Sequence, residues 1–552
     1  MIIDTINFIK KKPLLLFILI PAWILTLIPI LFDGQMGCVN EKCGFIVGTN
    51  YRDGIWFQAV AETSFRTFPF QMPNFAGENL RGYHYLPNFL TYILTFIGIP
   101  VSFTFYKILP IIYMTGITIL GLKLAKLIQN DLKFVMIFIF FLLYGMHLSL
   151  FTSLYHFGEI RNGALINTFQ STRILESPHF ALALLGLLYI VCKLYSQKIN
   201  KKNRLIFGLI LFLTLGTKFY VAFSMGVILG IYELFTLFKT RDFKKFTLII
   251  FYYGIITISA VILFYDPFTT SETGQIFSFA PFAVTHHLIE SPDLFKMQNL
   301  VLARYYLYEA GWSPRLILIE LFSSFLFLLF YFGTRFFAFL FFLSKDLLKN
   351  MKTVEKSIAI SVFASIFMSI FFVQKGDWFN TIQFSVPAAY LSVIFLSKWI
   401  HHLLIKNKII GATLVVILVA TTLPANLVNL NYLQNSARYV IASEEMEALL
   451  FLKKQPKGTV FSPKNEHDMA YISAFSGQVS YLTYVSHLAN AGYDSSSREK
   501  LVEDYHKNIE KINTNYVYLN LNTHPLKVEN SCITKNYYPI YDKSNIRICK
   551  RK

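Results

Sequence analysis

A helix needs about 17–25 apolar residues to cross a ~30 Å hydrocarbon core, and this chain carries runs of that length repeatedly. They fall near 13–32, 104–122, 134–151, 178–196, 219–238, 247–266, 316–334, 357–374, 380–397 and 408–425. The stretch 205–238 is too long for one helix and is broken at Gly216-Thr217-Lys218, so a short span at 205–217 precedes the full one at 219–238. The pattern predicts an α-helical polytopic membrane protein with about eleven transmembrane helices. The first run follows Lys10-Lys11-Lys12 and resembles a signal peptide. Its length exceeds a cleavable apolar region of about 7–15 residues, and no small-residue cleavage site precedes Asp33-Gly34, so it reads as an uncleaved first span.

Orientation follows from the basic residues. With the N-terminus cytoplasmic, the inward segments are 1–12, 123–133, 193–204, 239–246, 345–356 and 398–408. They hold 22 Lys and Arg in about 65 residues, against roughly 12 in about 150 outward residues, the asymmetry of the positive-inside rule. An odd number of spans then puts everything after Pro424 outside. Short loops and low charge in the spans suggest a plasma (inner) membrane of a prokaryote.

Two outward segments are long, 33–103 and 267–315; shorter ones are 152–177 and 375–379. The apolar stretch 86–101 is interrupted by Pro87 and Pro100, and counting it as a span would invert every later basic cluster, so it predicts an interfacial helix. The chain divides into a transmembrane module, 1–429, and an extracytoplasmic domain, 430–552. In the latter, charge returns and short elements alternate: helix 443–454, strand 459–461, a helix near 499–509, strand 516–519, and a pair near 537–541 and 545–549. This predicts a small C-terminal α/β domain.

Composition agrees. The chain is 54% hydrophobic and 15% charged, whereas soluble proteins carry about 25% charged residues. A net charge of +19 would suggest nucleic acid in a soluble protein, but here it sits in short segments between spans, so no nucleic-acid partner is expected and the bilayer is. Cys38, Cys43, Cys532 and Cys549 all lie in outward segments, where an oxidising compartment permits pairing. Local pairing, Cys38 with Cys43 and Cys532 with Cys549, competes with free thiols, because spacing does not fix connectivity. Cys192 falls inside a span, as a small core residue. Cys-x4-Cys has no matching second pair, so zinc is not expected.

Candidate chemistry concentrates in 49–90, which is outward, close to the membrane, and rich in aromatic, Pro, Gly and polar residues. Asp53 stands in a Gly-flanked turn ahead of an apparent helix, 55–65, where capping that helix is its plain structural role. Then come Phe68-Pro69, Pro73-Asn74-Phe75-Ala76-Gly77 and Tyr83-His84-Tyr85-Leu86-Pro87. Lys218 follows a helix too short to lift it clear of the membrane. A lysine at a span's centre costs about 2.5–3.5 kcal/mol on insertion scales, so it tends to be paired or functional. Arg304, beside Tyr305-Tyr306, is a second such cation. Snorkelling at the interface is the alternative for both. His156, Glu159, Arg161, Arg173 and Glu176 crowd the loop 152–177 without a ranking. His286-His287 with Glu290 and Asp293 is a weak metal pattern, because adjacent histidines point apart on a regular element.

The order and sidedness of these pieces resemble the GT-C superfamily of glycosyltransferases, which includes the protein O-mannosyltransferases, the aminoarabinose transferases and the oligosaccharyltransferases. The likeness runs from Asp53 through the motifs above, into Lys123 and Lys126 after the next span, and to Gly216-Thr217-Lys218, similar to a Thr-Lys turn of the aminoarabinose-transferase branch. It covers roughly 1–240. It implies inverting transfer of a hexose or pentose from a polyprenyl-phosphate donor to a glycan, lipid or protein acceptor outside the cytoplasm. Asp53 would be the catalytic carboxylate. Many members have Asp-Glu where this chain has Asp53-Gly54, so a divalent metal is not favoured unless Glu62 or Glu78 substitutes.

Lys218, then Arg304, would hold the donor phosphate; Trp56, Glu62, Glu78, Arg81, Tyr83 and His84 would contact substrate. The C-terminal domain would help bind the acceptor. Two other readings remain open. A transporter or flippase would show a second interrupted span to match Gly216, which the later half lacks. A glycan polymerase or ligase would carry its main outward loop late, as 267–315 allows.

Overall fold

The computed structural model describes residues 2–39, 42–48, 51–145, 147–148, 151–152, 154–155, 158, 177–196, 199–268, 277–292, 294–374, 378–435, 439–463, 469–521 and 536–552. His156, Glu159, Arg161, Arg173, Glu176, Asp293 and Cys532 lie outside them.

The chain opens with α1 (Ile2–Lys11) and α2 (Pro13–Phe32), then a hairpin, β1 (Gln35–Val39) and β2 (Lys42–Gly48). Next come α3 (Tyr51–Thr63) and α4 (Leu86–Thr95). The membrane module continues through α5 (Val101–Ile128), α6 (Leu132–Tyr144), α7 (Pro178–Ser196), α8 (Lys201–Leu215), α9 (Phe219–Thr240) and α10 (Phe243–Tyr265). A strand, β3 (Phe277–Phe279), and α11 (Gln298–Glu309) precede α12 (Pro314–Leu343), α13 (Thr353–Phe371), β4 (Phe372–Gln374), α14 (Trp378–Lys406) and α15 (Lys408–Asn435).

Among the described residues nine helices are long and apolar enough to cross a membrane. They match nine of the eleven predicted runs. The other two runs are helical but short. Asp131 caps the start of α6, and the backbone leaves helix at Gly145, so α6 stops short of the predicted 134–151. Asn200 caps α8, and Gly216 ends it. The 86–101 stretch forms a ten-residue helix, α4, followed by a break and a restart after Pro100, too short to span.

The predicted inward segments meet at one end of the bundle. Lys126 lies over the ring of Phe8 at 4.2 Å, and His401 pairs with Asp131 at 2.9 Å. Glu355 accepts from Lys398 at 2.8 Å and from Tyr195 at 3.1 Å, and Lys239 donates to Thr353 at 2.8 Å. Every predicted basic segment is thus joined to another, although apolar periodicity alone carries no such pairing. Deeper in the bundle, Arg204 and Glu233 form a two-pronged pair at 2.8 and 2.9 Å, which keeps both charges off the lipid.

The C-terminal region comprises β5 (Tyr439–Ala442), α16 (Ser443–Lys453), β6 (Thr459–Phe461), α17 (Tyr471–Ser476), β7 (Val479–Ser480) and α18 (Val485–Asn490). It ends with α19 (Ser496–Glu503), α20 (Tyr505–Ile512), β8 (Tyr516–Asn520), β9 (Tyr537–Lys543) and β10 (Ile546–Arg551). The last three strands run antiparallel, β6 lies parallel to β7 and β8, and the sheet order is β7-β6-β8-β10-β9. An α/β domain is what the sequence predicts, with the single helix near 499–509 replaced by two.

Helix α15 runs on to Asn435, and β5 pairs with β2 of the first loop, so a three-stranded sheet β1-β2-β5 joins the two parts. Cys38 and Cys43 face each other across the hairpin and are disulfide-bonded; Cys549 is also disulfide-bonded, and Cys192 is free and buried.

Candidate functional site

The first loop is held between the membrane bundle and the C-terminal domain by its own backbone. The N–H of Tyr83 donates to the carbonyl of Phe264 at 3.2 Å, and that of Leu86 to the carbonyl of Gly216 at 3.0 Å. Gly216 must be glycine: a Cβ there would sit 2.4 Å from the Phe264 ring. The Gly216-Thr217-Lys218 break and the Tyr83–Leu86 segment are therefore two sides of one construction. On the other flank, Asn74 accepts from the Thr483 N–H at 3.0 Å through its backbone, and its side-chain amide donates to the Thr483 carbonyl at 2.8 Å.

Asp53 lies in the first turn of α3, not ahead of it as the sequence suggests, because the helix begins at Tyr51. It is exposed. Lys218 is half-buried in extended backbone immediately before α9. Its ammonium sits 4.7 Å from the centre of the Phe180 ring and 5.6 Å from that of Tyr220. Burial lowers its pKa to about 8, while the charge of Asp53 works the other way. The two groups therefore face the same space. Among the described residues Lys218 Nζ makes no salt bridge, so its positive charge is offered to whatever enters.

The walls are aromatic. Trp56 packs against His487 at 4.0 Å between ring centres and edge-on to Tyr83 at 5.7 Å. Tyr83 stacks on His84 at 4.8 Å, and His84 stands edge-on to His179 at 5.4 Å. Burial, then the charge of Lys218, pushes His84 well below the usual imidazole range, and burial lowers His487 to about 4. Both are neutral at pH 7. Burial, then Asp53, holds the Tyr83 phenol well above its ordinary value.

Two buried polar atoms around this space, His179 Nδ1 and His487 Nδ1, have no hydrogen-bond partner among the described residues, while the Trp56 indole N–H is directed at the Tyr83 hydroxyl. That is unusual, since buried polar groups are nearly always satisfied. For His179 the geometry fixes which nitrogen is bare. Asn88 Nδ2 donates to the Phe57 carbonyl at 2.8 Å, which turns Asn88 Oδ1 toward His179 Nε2 at 3.0 Å. An amide oxygen only accepts, so Nε2 carries the proton and Nδ1 is left as an acceptor.

Of the sequence candidates, Asp53, Trp56, Tyr83, His84 and Lys218 come together. Glu62, Glu78 and Arg81 do not join them. Glu62 lies over two turns beyond Asp53 on α3 and pairs with Lys453 of the C-terminal domain at 2.8 Å. Arg81 lies over the ring of Tyr493 at 4.5 Å, and Glu78 acts on that same tyrosine. These three face the C-terminal domain. Arg304 is engaged elsewhere: its guanidinium donates to Glu320 at 3.0 Å and to Glu290 at 3.2 Å. His286 also hydrogen-bonds Glu320, so the His286/Glu290 pattern is an ion-pair cluster around Arg304.

His179, Asn88, Tyr484 and His487 were not singled out in the sequence. His179 had one local signal, a histidine directly after the Pro178 that opens a span; the other three become visible only when the chain folds. At Gly54, beside Asp53, a Cβ would lie 3.1 Å from the Tyr106 hydroxyl. Among the described residues no three His, Cys, Asp or Glu side chains cluster as ligands.

No family model matches the chain, and no curated protein sequence does. Two crystal structures of the Archaeoglobus fulgidus oligosaccharyltransferase resemble its course. One, a complex with zinc and sulfate, is 13% identical, with 91% of this chain and 67% of that one covered and a TM-score of 0.49. The other, tethered by a disulfide to an acceptor peptide containing the NVT sequon, is 14% identical, with 93% and 70% covered and a TM-score of 0.47. Likeness of that degree fixes neither fold nor chemistry, which have to come from the pocket's own residues.

Proposed function

We propose that this chain is a membrane glycosyltransferase that moves a sugar from a polyprenyl-phosphate donor to a hydroxyl acceptor on the extracytoplasmic side. The observation that carries this reading is the proximity of the Asp53 and Lys218 charges beside aromatic rings and unsatisfied hydrogen-bonding atoms. Aromatic faces with free polar edges suit a sugar ring. A lone cation suits a phosphate.

In the reaction, an acceptor hydroxyl attacks the anomeric carbon, the carbon–oxygen bond to phosphate breaks, and the hydroxyl proton passes to Asp53. A positioned carboxylate of this kind is typically worth about 10²–10⁴ in rate. Lys218 stabilises the charge that develops on the departing phosphate. Attack from the face opposite the phosphate inverts the anomeric centre. The positive-inside rule supports a cytoplasmic position for the basic segments and an extracytoplasmic one for this site.

The test uses the full chain in lipid nanodiscs with a panel of radiolabelled polyprenyl-phosphate hexoses and pentoses, scored for release of polyprenyl phosphate and for label in acceptor fractions. Mass spectrometry of cell glycans with and without the gene identifies the acceptor. Consumption of no donor by the wild-type chain, or full activity in Asp53→Asn, would overturn the reading.

A further inference from the structure

The buried cluster around Arg304 fixes the position of a helix whose outer face is otherwise unexplained. Helix α11 turns Arg304 inward, where the guanidinium meets Glu320 and Glu290. Its other side is exposed and largely aromatic, with Leu302, Tyr305 and Tyr306 (75% exposed) and with Trp312 (62%) in the turn that follows; the exposed rings of Tyr305 and Tyr308 border the Arg304 guanidinium at 5.4 and 5.9 Å. The only charged residue on that side is Glu309, at the helix end.

Glu320 sets the depth. It is the seventh residue of α12, so Arg304 is pinned roughly 9 Å along a membrane-spanning helix from its start, at 1.5 Å per residue. A helix tied at that level cannot stand clear of the bilayer. The exposed side of α12 on either side of this point, Ile317, Leu318, Leu321, Phe322 and Phe325, is apolar, as a lipid-facing surface is. The exposed face of α11 continues it with tyrosines and a tryptophan, the residues that concentrate where acyl chains meet headgroups.

We infer that α11 lies in the bilayer interface on the pocket side, its tyrosine face and Trp312 set among lipid headgroups and upper acyl carbons, and that it roofs the Arg304 ion-pair cluster against the membrane. The partner is the lipid surface itself. Helices of this kind sink about 5–10 Å into the interface, comparable with the distance along α12 at which Glu320 holds Arg304.

A nitroxide label on Tyr306→Cys, in the full chain in phosphatidylcholine nanodiscs, tests this by electron paramagnetic resonance. The expected result is strong relaxation by oxygen with exclusion of a water-soluble nickel chelate, several-fold different in ratio from a label on Lys454→Cys in the C-terminal domain. Nickel access equal to that of the Lys454 site would overturn it. So would a label shielded from both reagents, which would mean that protein covers the face. Should the cysteine variant fail to fold, brominated-lipid quenching compared between wild type and Trp312→Phe reads the same surface: the quenched component must fall in the variant, and its persistence unchanged overturns the inference.

Discussion

The carboxylate of Asp53 acts on the ammonium of Lys218 across the pocket, although one stands in the first turn of the helix after the first span and the other precedes α9. Burial works against the charged form of Lys218, and Asp53 partly restores it. The same opposition would serve a reaction in which the cation must hold a phosphate while the carboxylate takes a proton.

Asp53→Asn keeps the size and the place of the side chain but removes the base. Transfer should fall by about 10²–10⁴. Insertion and thermal stability should hardly change, because Asp53 is exposed. Initial rates and a melting curve on the same preparation separate the two effects.

A pH profile addresses Lys218. Its pKa in the free protein is lowered to about 8, so the ammonium is present below that value and lost as pH rises through it. Because kcat/KM reports the free enzyme, it should decline on the alkaline side with an apparent pKa near 8. Lys218→Arg keeps its charge at any accessible pH and should abolish that limb. Lys218→Met should lose most activity at every pH. A wild-type profile flat to pH 10 would remove Lys218 from the phosphate role.

This site was only half legible in the sequence. Apolar run lengths and lysine clusters carried the membrane module, because burial in lipid leaves little freedom in span length or charge placement. The Gly216-Thr217-Lys218 break was visible for the same reason: a lysine at that depth violates the pattern. What run lengths cannot carry is which loops meet. Asn74 binding Thr483, and Trp56 packing on His487, join residues some 400 positions apart. Glu62 and Arg81 share the loop of the site, yet α3 carries Glu62 to Lys453 and Arg81 meets Tyr493, both in the C-terminal domain. Arg304 reads in the sequence as a phosphate ligand or a snorkelling cation because nothing in its neighbourhood announces Glu320, a carboxylate inside a span.

His179 provides a test of sugar recognition. Its bare Nδ1 would accept a hydrogen bond from one sugar hydroxyl, and losing one buried hydrogen bond costs about 1–3 kcal/mol, roughly five- to 150-fold. His179→Leu should therefore slow transfer by that factor. Among donors each lacking one hydroxyl, a single one should be poor for wild type and no worse than the parent for the variant. Binding of polyprenyl phosphate without sugar should be unchanged. Equal discrimination in both proteins would mean that His179 only packs.

Asn74→Ala should loosen the C-terminal domain. The buried amide holds the Thr483 carbonyl, and Tyr484 beyond it sits in left-handed backbone at φ 53°. Leaving that carbonyl unsatisfied costs about 1–3 kcal/mol. Hydrogen exchange across 480–487 should accelerate while the spans stay protected, and transfer should fall because His487 is no longer held against Trp56.

Arg304→Ala separates structure from chemistry at the second outward loop. Its removal leaves Glu320 buried without its cation, and breaking a buried pair of this kind costs about 3–5 kcal/mol. The variant should melt far below wild type, whereas the surviving folded fraction should bind polyprenyl phosphate as before, since the guanidinium is committed to Glu320 and Glu290. Arg304→Ala with Glu320→Gln should recover much of the lost stability, because a neutral amide no longer needs a counter-charge. If instead the single variant melts normally and fails to bind the lipid phosphate, Arg304 belongs to the donor site and its ion pairs are incidental.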